Sequence, residues 1–305
     1  MRILLALLIT LIMAPGPPPA TAPGRIAFAS SRTADGNTDI FSADIAGETI
    51  ANLTNDPAPD RSPTWSPDGT QIAFASRRAD NWDIFLMHAD GSGLRRLTED
   101  AAYDGEPAWS PDGARLAFSS SRGGDLDIYV LELASGAVAR VTDSPAADYE
   151  PSWSPDGLSL AFTSWRDDNQ EIYVAYLGGL AEGAVPAPQN MSNHPAPDRS
   201  PAWSPDGRQM AFISDRDGIG NLYVLDMRSG GLQRTGVWNR SLQDPAWTPS
   251  GGLLAAGPWS IGRGFSSAQG VLVMTAGISV SVALIGSGHA YAEPAWSKNA
   301  VAPSL

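Results

Sequence analysis

Apolar and polar positions alternate along most of the chain with the period of two that suits strands, in runs too short for helices. "QIAFAS" at 71–76 sets Ile72 and Phe74 on one face of a strand and Ala73 and Ala75 on the other. Ahead of it, "PTWS" at 63–66 predicts a first strand. Pro67-Asp68-Gly69 predicts the turn between them: proline fixes φ, aspartate bonds its own backbone, and glycine admits positive φ. Beyond it, "DIFLMHA" from Asp83 predicts a third strand, and "ADGSG" turns it into a fourth, "LRRLT". No stretch of ten or more residues carries helical periodicity, so the pattern predicts an all-β protein.

The four-strand unit repeats. Its tryptophans fall at Trp65, Trp109, Trp153 and Trp203, with weaker copies at Trp247 in "PAWTPSG" and Trp296 in "PAWSKNA". The steps are 44, 44, 50, 44 and 49 residues, the range for one four-stranded propeller blade. The first copy, "GRIAFASSRTADGNTDIFSADI", begins at its second strand, and the last, "EPAWSKNA", is a first strand with nothing after it. Joining the two repairs both and removes an open sheet edge. The expectation is therefore a six-bladed β-propeller of four-stranded blades, its ring closed by the C-terminal PxW strand, forming one domain over 23–305.

Residues 1–22 are a different material. One basic residue, Arg2, precedes the apolar run Ile3–Ala14, a proline-rich stretch follows, and Ala20-Thr21-Ala22 offers a small-x-small cleavage site. The run is shorter than the roughly 20 residues of a membrane helix and fits a secretory signal peptide. The mature protein is thus expected in a bacterial periplasm or outside the cell, with no membrane span. The full chain of 305 residues contains no cysteine, which excludes disulfides, thiolate metal sites and thiol catalysis. A net charge of −13 argues against nucleic acid as a partner.

Residues that recur read as scaffold. Asp68, Asp112, Asp156 and Asp206 sit in turns, and the tryptophans are expected to wedge between blades. Arg32, Arg78, Arg122, Arg166 and Arg216 are expected to bridge to Asp39, Asp83, Asp127, Glu171 and Asn221 of the same loop. Positions that differ between copies carry more about function. The residue before each PxW proline, expected to ring the channel mouth, reads Ser62, Glu106, Glu150, Ser200, Asp244 and Glu293. Two positions further back stand Asp60, Asp104, Asp148 and Asp198, then Leu242 and Tyr291, while His194 and His289 lie in loops entering the same strands.

Such a mouth suits a basic or amide-rich protein segment. A calcium-like cation on the axis is the alternative occupant, though no cofactor is required, and a merely solvated acidic rim is the plainest reading. There is no GxSxG elbow, no glycine-rich segment opens a helix, and two histidines do not make a metal site, so no catalytic residue is assigned. The expectation is a monomeric, non-catalytic binding scaffold.

The sentence "PxWSPDGxxIAFxSxRxxxxDIY…LT" resembles the WD-like propeller repeat of TolB, the periplasmic component of the Tol–Pal envelope system, over about residues 24–300. Propeller domains of prolyl-oligopeptidase-type peptidases and of oligogalacturonide lyases use a similar repeat. The TolB resemblance implies a protein partner in the cell envelope; the lyase resemblance implies the alternative, an enzyme acting on a carbohydrate or other small substrate at the channel mouth. TolB carries an α/β domain ahead of its propeller that makes part of its Tol contacts. Here the first strand begins at about Arg25, behind the signal, so the propeller is expected without that domain.

Overall fold

The structure, a computed structural model, describes residues 25–30, 37–44, 50–180, 183, 186–235, 242–247, 251–259, 268–275, 279–283 and 295–296. The signal segment expected at 1–22, Arg32, His289, Tyr291 and Glu293 lie outside them. The described residues form six four-stranded antiparallel sheets. Five are runs of consecutive strands. The first run holds β4 (Asp60–Trp65), β5 (Gln71–Ser76), β6 (Asp83–His88) and β7 (Arg95–Arg96). The next holds β8 (Asp104–Trp109), β9 (Arg115–Ser120), β10 (Asp127–Glu132) and β11 (Val138–Arg140). Then come β12 (Asp148–Trp153), β13 (Ser159–Ser164), β14 (Glu171–Tyr176) and β15 (Gln189–Asn190), followed by β16 (Asp198–Trp203), β17 (Gln209–Ser214), β18 (Asn221–Asp226) and β19 (Leu232–Arg234). The last run is β20 (Gln243–Trp247), β21 (Leu253–Trp259), β22 (Ala268–Thr275) and β23 (Ser279–Ala283).

The sixth sheet is composite. It joins β1 (Arg25–Ser30), β2 (Asp39–Asp44) and β3 (Ile50–Asn52) to β24 (Ala295–Trp296), with Ile26 opposite Trp296 and Ala27 opposite Ala295. The molecule is an all-β propeller of four-stranded blades, five of them complete in sequence. No described helix is long and apolar enough to cross a membrane.

Blade stacking follows from the alternation in the second strands. The large face of β5, Ile72 and Phe74, packs with Trp65 against Ala27, Ala29 and Ile40 of the composite sheet. Its small face, Ala73 and Ala75, receives Leu116 and Phe118 of β9. The same handing-on continues from Ala117 to Leu160 and Phe162, and from Ala161 to Met210 and Phe212. Large side chains of one blade thus fill the space left by small ones of the blade before, the interdigitation that close packing needs.

The tryptophans are wedges, as the spacing predicts. Indole N–H groups of Trp109, Trp153 and Trp247 donate to the carbonyls of Thr64, Ala108 and Ala202 in the preceding blade, at 3.2, 3.1 and 2.9 Å. The turn aspartates are scaffold as well. Asp68 accepts from the Ser66 hydroxyl at 2.6 Å and the Thr70 N–H at 3.0 Å, and Asp112, Asp156 and Asp206 repeat the pattern. Gly69, Gly113, Gly157 and Gly207 take φ of 70–71° there, which a glycine adopts without strain.

The loop arginines depart from expectation. Arg78 does not bridge to Asp83; it grips Asp60 with both carboxylate oxygens at 3.0 and 2.8 Å and donates to Ser76 Oγ at 2.7 Å. Arg122–Asp104, Arg166–Asp148 and Arg216–Asp198 repeat this at 2.9, 2.7 and 2.8 Å. The cause is register: Asp60 and Asp83 both lie opposite Ser76, on either side of β5, and the chain after Ser76 turns back toward the first strand. The third-strand carboxylates Asp83 and Asp127 go instead to Arg96 and Arg140 of the fourth strands, at 2.8 and 2.5 Å. Each loop guanidinium also lies over the paired rings of its blade, as Arg122 does over Phe118 and Tyr129 at 5.1 Å each. Truncating Arg122 to alanine would strand the buried Asp104 carboxylate. The expected cost is about 3 kcal/mol in urea denaturation, whereas Arg208→Ala, at the exposed Asp206 pair, should change stability by less than about 0.5 kcal/mol.

Candidate functional site

The first strands of the blades surround a central channel of about 740 Å³. In each complete blade the register slips by one residue between the positions flanking the PxW proline, for example between Arg61 and Thr64 in β4. The extra residue of each bulge is Ser62, Glu106, Glu150, Ser200 or Asp244. All five take left-handed φ, at 52, 52, 55, 54 and 47°. None is glycine, so each conformation costs on the order of 1 kcal/mol. A bulge re-aims its side chain out of the normal alternation, and here all five line the channel.

That slip also explains a correction. Asp60, Asp104, Asp148 and Asp198, two positions back, would share the mouth if the strand alternated regularly. The bulge breaks the alternation, and all four are fully buried within their blades, held by the loop arginines. Burial pushes the Asp60, Asp148 and Asp198 carboxyls up, against the opposing pull of serine and arginine. Leu242 is buried too. His194 is half-buried, and its Nδ1 accepts the Ala196 N–H at 3.0 Å, closing its own loop. Among the described residues no three His, Asp or Glu side chains converge as for a metal ion.

The channel carboxylates are wired across blades. Glu106 Oε1 accepts the Tyr103 hydroxyl at 3.1 Å, and that phenol oxygen accepts Arg61 Nη2 at 2.8 Å from the preceding blade. Gly105 makes room for this: a Cβ there would lie 1.9 Å from the Tyr103 hydroxyl. Glu106 Oε2 accepts Ser119 Oγ at 2.6 Å and the N–H of Glu150, in the following blade, at 3.3 Å. Glu150 Oε2 in turn accepts Thr163 Oγ1 at 2.9 Å, and the N–H and Oγ of Ser200, one blade further on, at 2.9 and 3.1 Å. Each carboxylate therefore secures the strained backbone of the next bulge. Sequence reasoning placed these residues at the mouth but missed this role, since only the bulge brings each one beside its neighbour's N–H.

Burial raises Glu150 to about 7, reinforced by the Glu106 charge and opposed by Thr163 and Ser200. The Tyr103 phenol is pushed up by burial and by the same glutamate. The channel lining thus includes a carboxyl whose value is raised from the ordinary range toward neutrality.

The sequence profile of the TolB beta propeller domain matches residues 12–106, 101–185 and 166–302. The chain belongs to the TolB β-propeller family. Among solved structures, TolB from Acinetobacter baumannii is similar at 23% identity with a TM-score of 0.71, covering 90% of this chain and 66% of that one. A putative TolB from Agrobacterium tumefaciens is similar at 20% identity and a TM-score of 0.57, covering 70% and 88%. Oligogalacturonate lyase from Vibrio parahaemolyticus shares the fold at 12% identity and a TM-score of 0.54, covering 86% and 74%. Among curated proteins, none matches by sequence. The chain spans just under two thirds of the A. baumannii TolB.

The raised Glu150 sets a pH dependence with a definite sign. Its folded value lies above its ordinary 4.5, so the stability it contributes is full below about 4.5 and is lost as pH rises through about 7. Glu150→Gln keeps an acceptor for Ser200 without the charge. Calorimetry from pH 4.5 to 8 should show the variant gaining about 3 kcal/mol relative to wild type.

Proposed function

We propose that this TolB-family chain is an exported, non-catalytic scaffold that docks a protein partner in the cell envelope or outside it through the channel mouth. One observation carries the reading: five successive blades accept left-handed backbone strain to aim polar side chains, three of them acidic, into one mouth. A basic or amide-rich segment is complementary to that surface, and a calcium-like cation would compete for the same carboxylates. Family membership supports a protein partner. The carbohydrate-enzyme reading draws on a lyase likeness at 12% identity, which speaks to fold alone. The signal-like segment supports periplasmic or secreted localisation.

Ring closure belongs to the same reading. β24 pairs with β1 and lies beside β4 and β20, the position a sixth first strand would take, so we read the protein as a closed six-bladed ring acting as a monomer. The chain has no cysteine, so Ala27→Cys with Ala295→Cys reports closure directly. Oxidation should give an intrachain disulfide in the monomer band; free thiols or a cross-linked dimer would refute the ring.

Docking is tested by pull-down from an envelope extract. Glu106→Gln with Glu150→Gln removes mouth charge while preserving acceptors, and should weaken capture at least tenfold. Glu132→Lys, at the far end of β10, should leave it unchanged. Equal capture by all three proteins would refute the mouth as the docking face.

A further inference from the structure

Trp165 is 45% exposed just beyond the end of β13 that pairs with Asp148 and Tyr149, where the other loops carry Arg77, Ser121 and Asp215. It follows the last residue of β13, and its backbone N–H donates to the Ala147 carbonyl at 3.0 Å. Its indole is held in place. Nε1 donates to the Tyr149 hydroxyl at 3.3 Å, and the same oxygen accepts the Gln170 amide. Tyr149 is half-buried, and the next residue, Glu150, lines the channel.

Trp82, the aromatic of the corresponding loop two blades earlier, is different. Its ring face is already covered by the Arg61 guanidinium at 4.1 Å. No cation or ring stacks on Trp165 among the described residues. The indole is thus anchored by its edge, with its polar N–H satisfied and a large apolar surface left to solvent.

What surrounds this platform selects its occupant. The loop continues Arg166-Asp167-Asp168-Asn169-Gln170; Arg166 turns inward to Asp148, while Asp167 and Asp168 are exposed. A protein hot spot would set its aromatic among other apolar side chains. Here the indole is bonded to a phenol that also takes the Gln170 amide, and the loop runs on into the exposed Asp167 and Asp168, groups suited to hydroxyls. A nucleobase would bring phosphate toward Asp167 and Asp168 and be repelled. A ring with an apolar face, a hydroxylated rim and no negative charge remains.

We propose that Trp165, with Tyr149, Gln170 and Asp168, forms a stacking subsite for a neutral pyranose ring beside the channel mouth. The indole takes the C–H face of the sugar, and the polar rim takes its hydroxyls. This subsite stands independently of the protein-docking reading, because the mouth glutamates are not part of it.

The test is isothermal titration of the full chain with three neutral probes, maltotriose, cellotriose and chitotriose, and with anionic trigalacturonate. At least one neutral trisaccharide should bind in the millimolar range or tighter, and trigalacturonate at least tenfold more weakly. Trp165→Ala should abolish neutral binding, Trp165→Phe should retain part of it, and Tyr176→Ala, 51% exposed at the opposite end of its blade, should leave it unchanged. Overturning results are failure of all three neutral sugars with wild type, unaltered binding by Trp165→Ala, or preferred binding of trigalacturonate. Glu106→Gln with Glu150→Gln separates the two proposals: it should weaken protein capture and spare the sugar.

Discussion

The structure depends on one steric relation: the large face of each second strand fits the small face of the strand in the blade before. Ile72 and Phe74 enter the space beside Ala27 and Ala29, and Leu116 and Phe118 do the same beside Ala73 and Ala75. Because β1, β5, β9 and β13 each present one face of each kind, a blade in isolation would expose its large face, and each added neighbour buries another. The relation also has a direction. Tryptophans donate to carbonyls of the blade before, and turn glycines such as Gly113 pack on the preceding proline, Pro67. Strand alternation is thereby converted into a rotation about an axis, and a rotation leaves a channel.

Polar groups then occupy the margins that apolar packing leaves. The loops after the second strands are sealed by arginines such as Arg78, which neutralise a buried carboxylate and lie over an aromatic pair at the same time. Such a pair is worth little over an apolar substitute but is costly to break from one side, so it fixes geometry more than it adds stability. The inner margin is the bulge ring. There Glu106 and Glu150 pass hydrogen bonds from blade to blade. The carboxylates that give the mouth its charge also hold its strained backbone, which couples the electrostatics of the site to the scaffold.

Much of this was legible in residue order. Turn tripeptides, strand alternation and tryptophan spacing act locally, so they survive reading without coordinates. The failures were all failures of register. Asp83 follows Arg78 by five residues and looks like its partner, but antiparallel pairing carries Asp60 to the guanidinium from 18 residues upstream. A signal did exist. Where the third strand starts with Asp83 or Asp127, the fourth carries Arg96 or Arg140, whereas Glu171 is met by Ser192 and the fourth-strand Asn190 turns to Asp167. Asn221 needs no cation, and Arg234 turns to Asp217 instead. In the Asp83 and Asp127 blades the matched arginine points to the true partner, while Asp39 is met by Asn52.

The bulges had no such signal, because Ser, Glu and Asp do not announce left-handed backbone as glycine would. A regular strand would have placed Asp104 and Glu106 on the same side. The extra residue sends Glu106 into the channel and leaves Asp104 inside the sheet under Arg122. Two carboxylates two residues apart thus take unrelated tasks, one buried and structural, the other facing solvent and the next blade. Charge counted along the sequence overstates how acidic the mouth is, and backbone geometry decides which negative charges a partner meets.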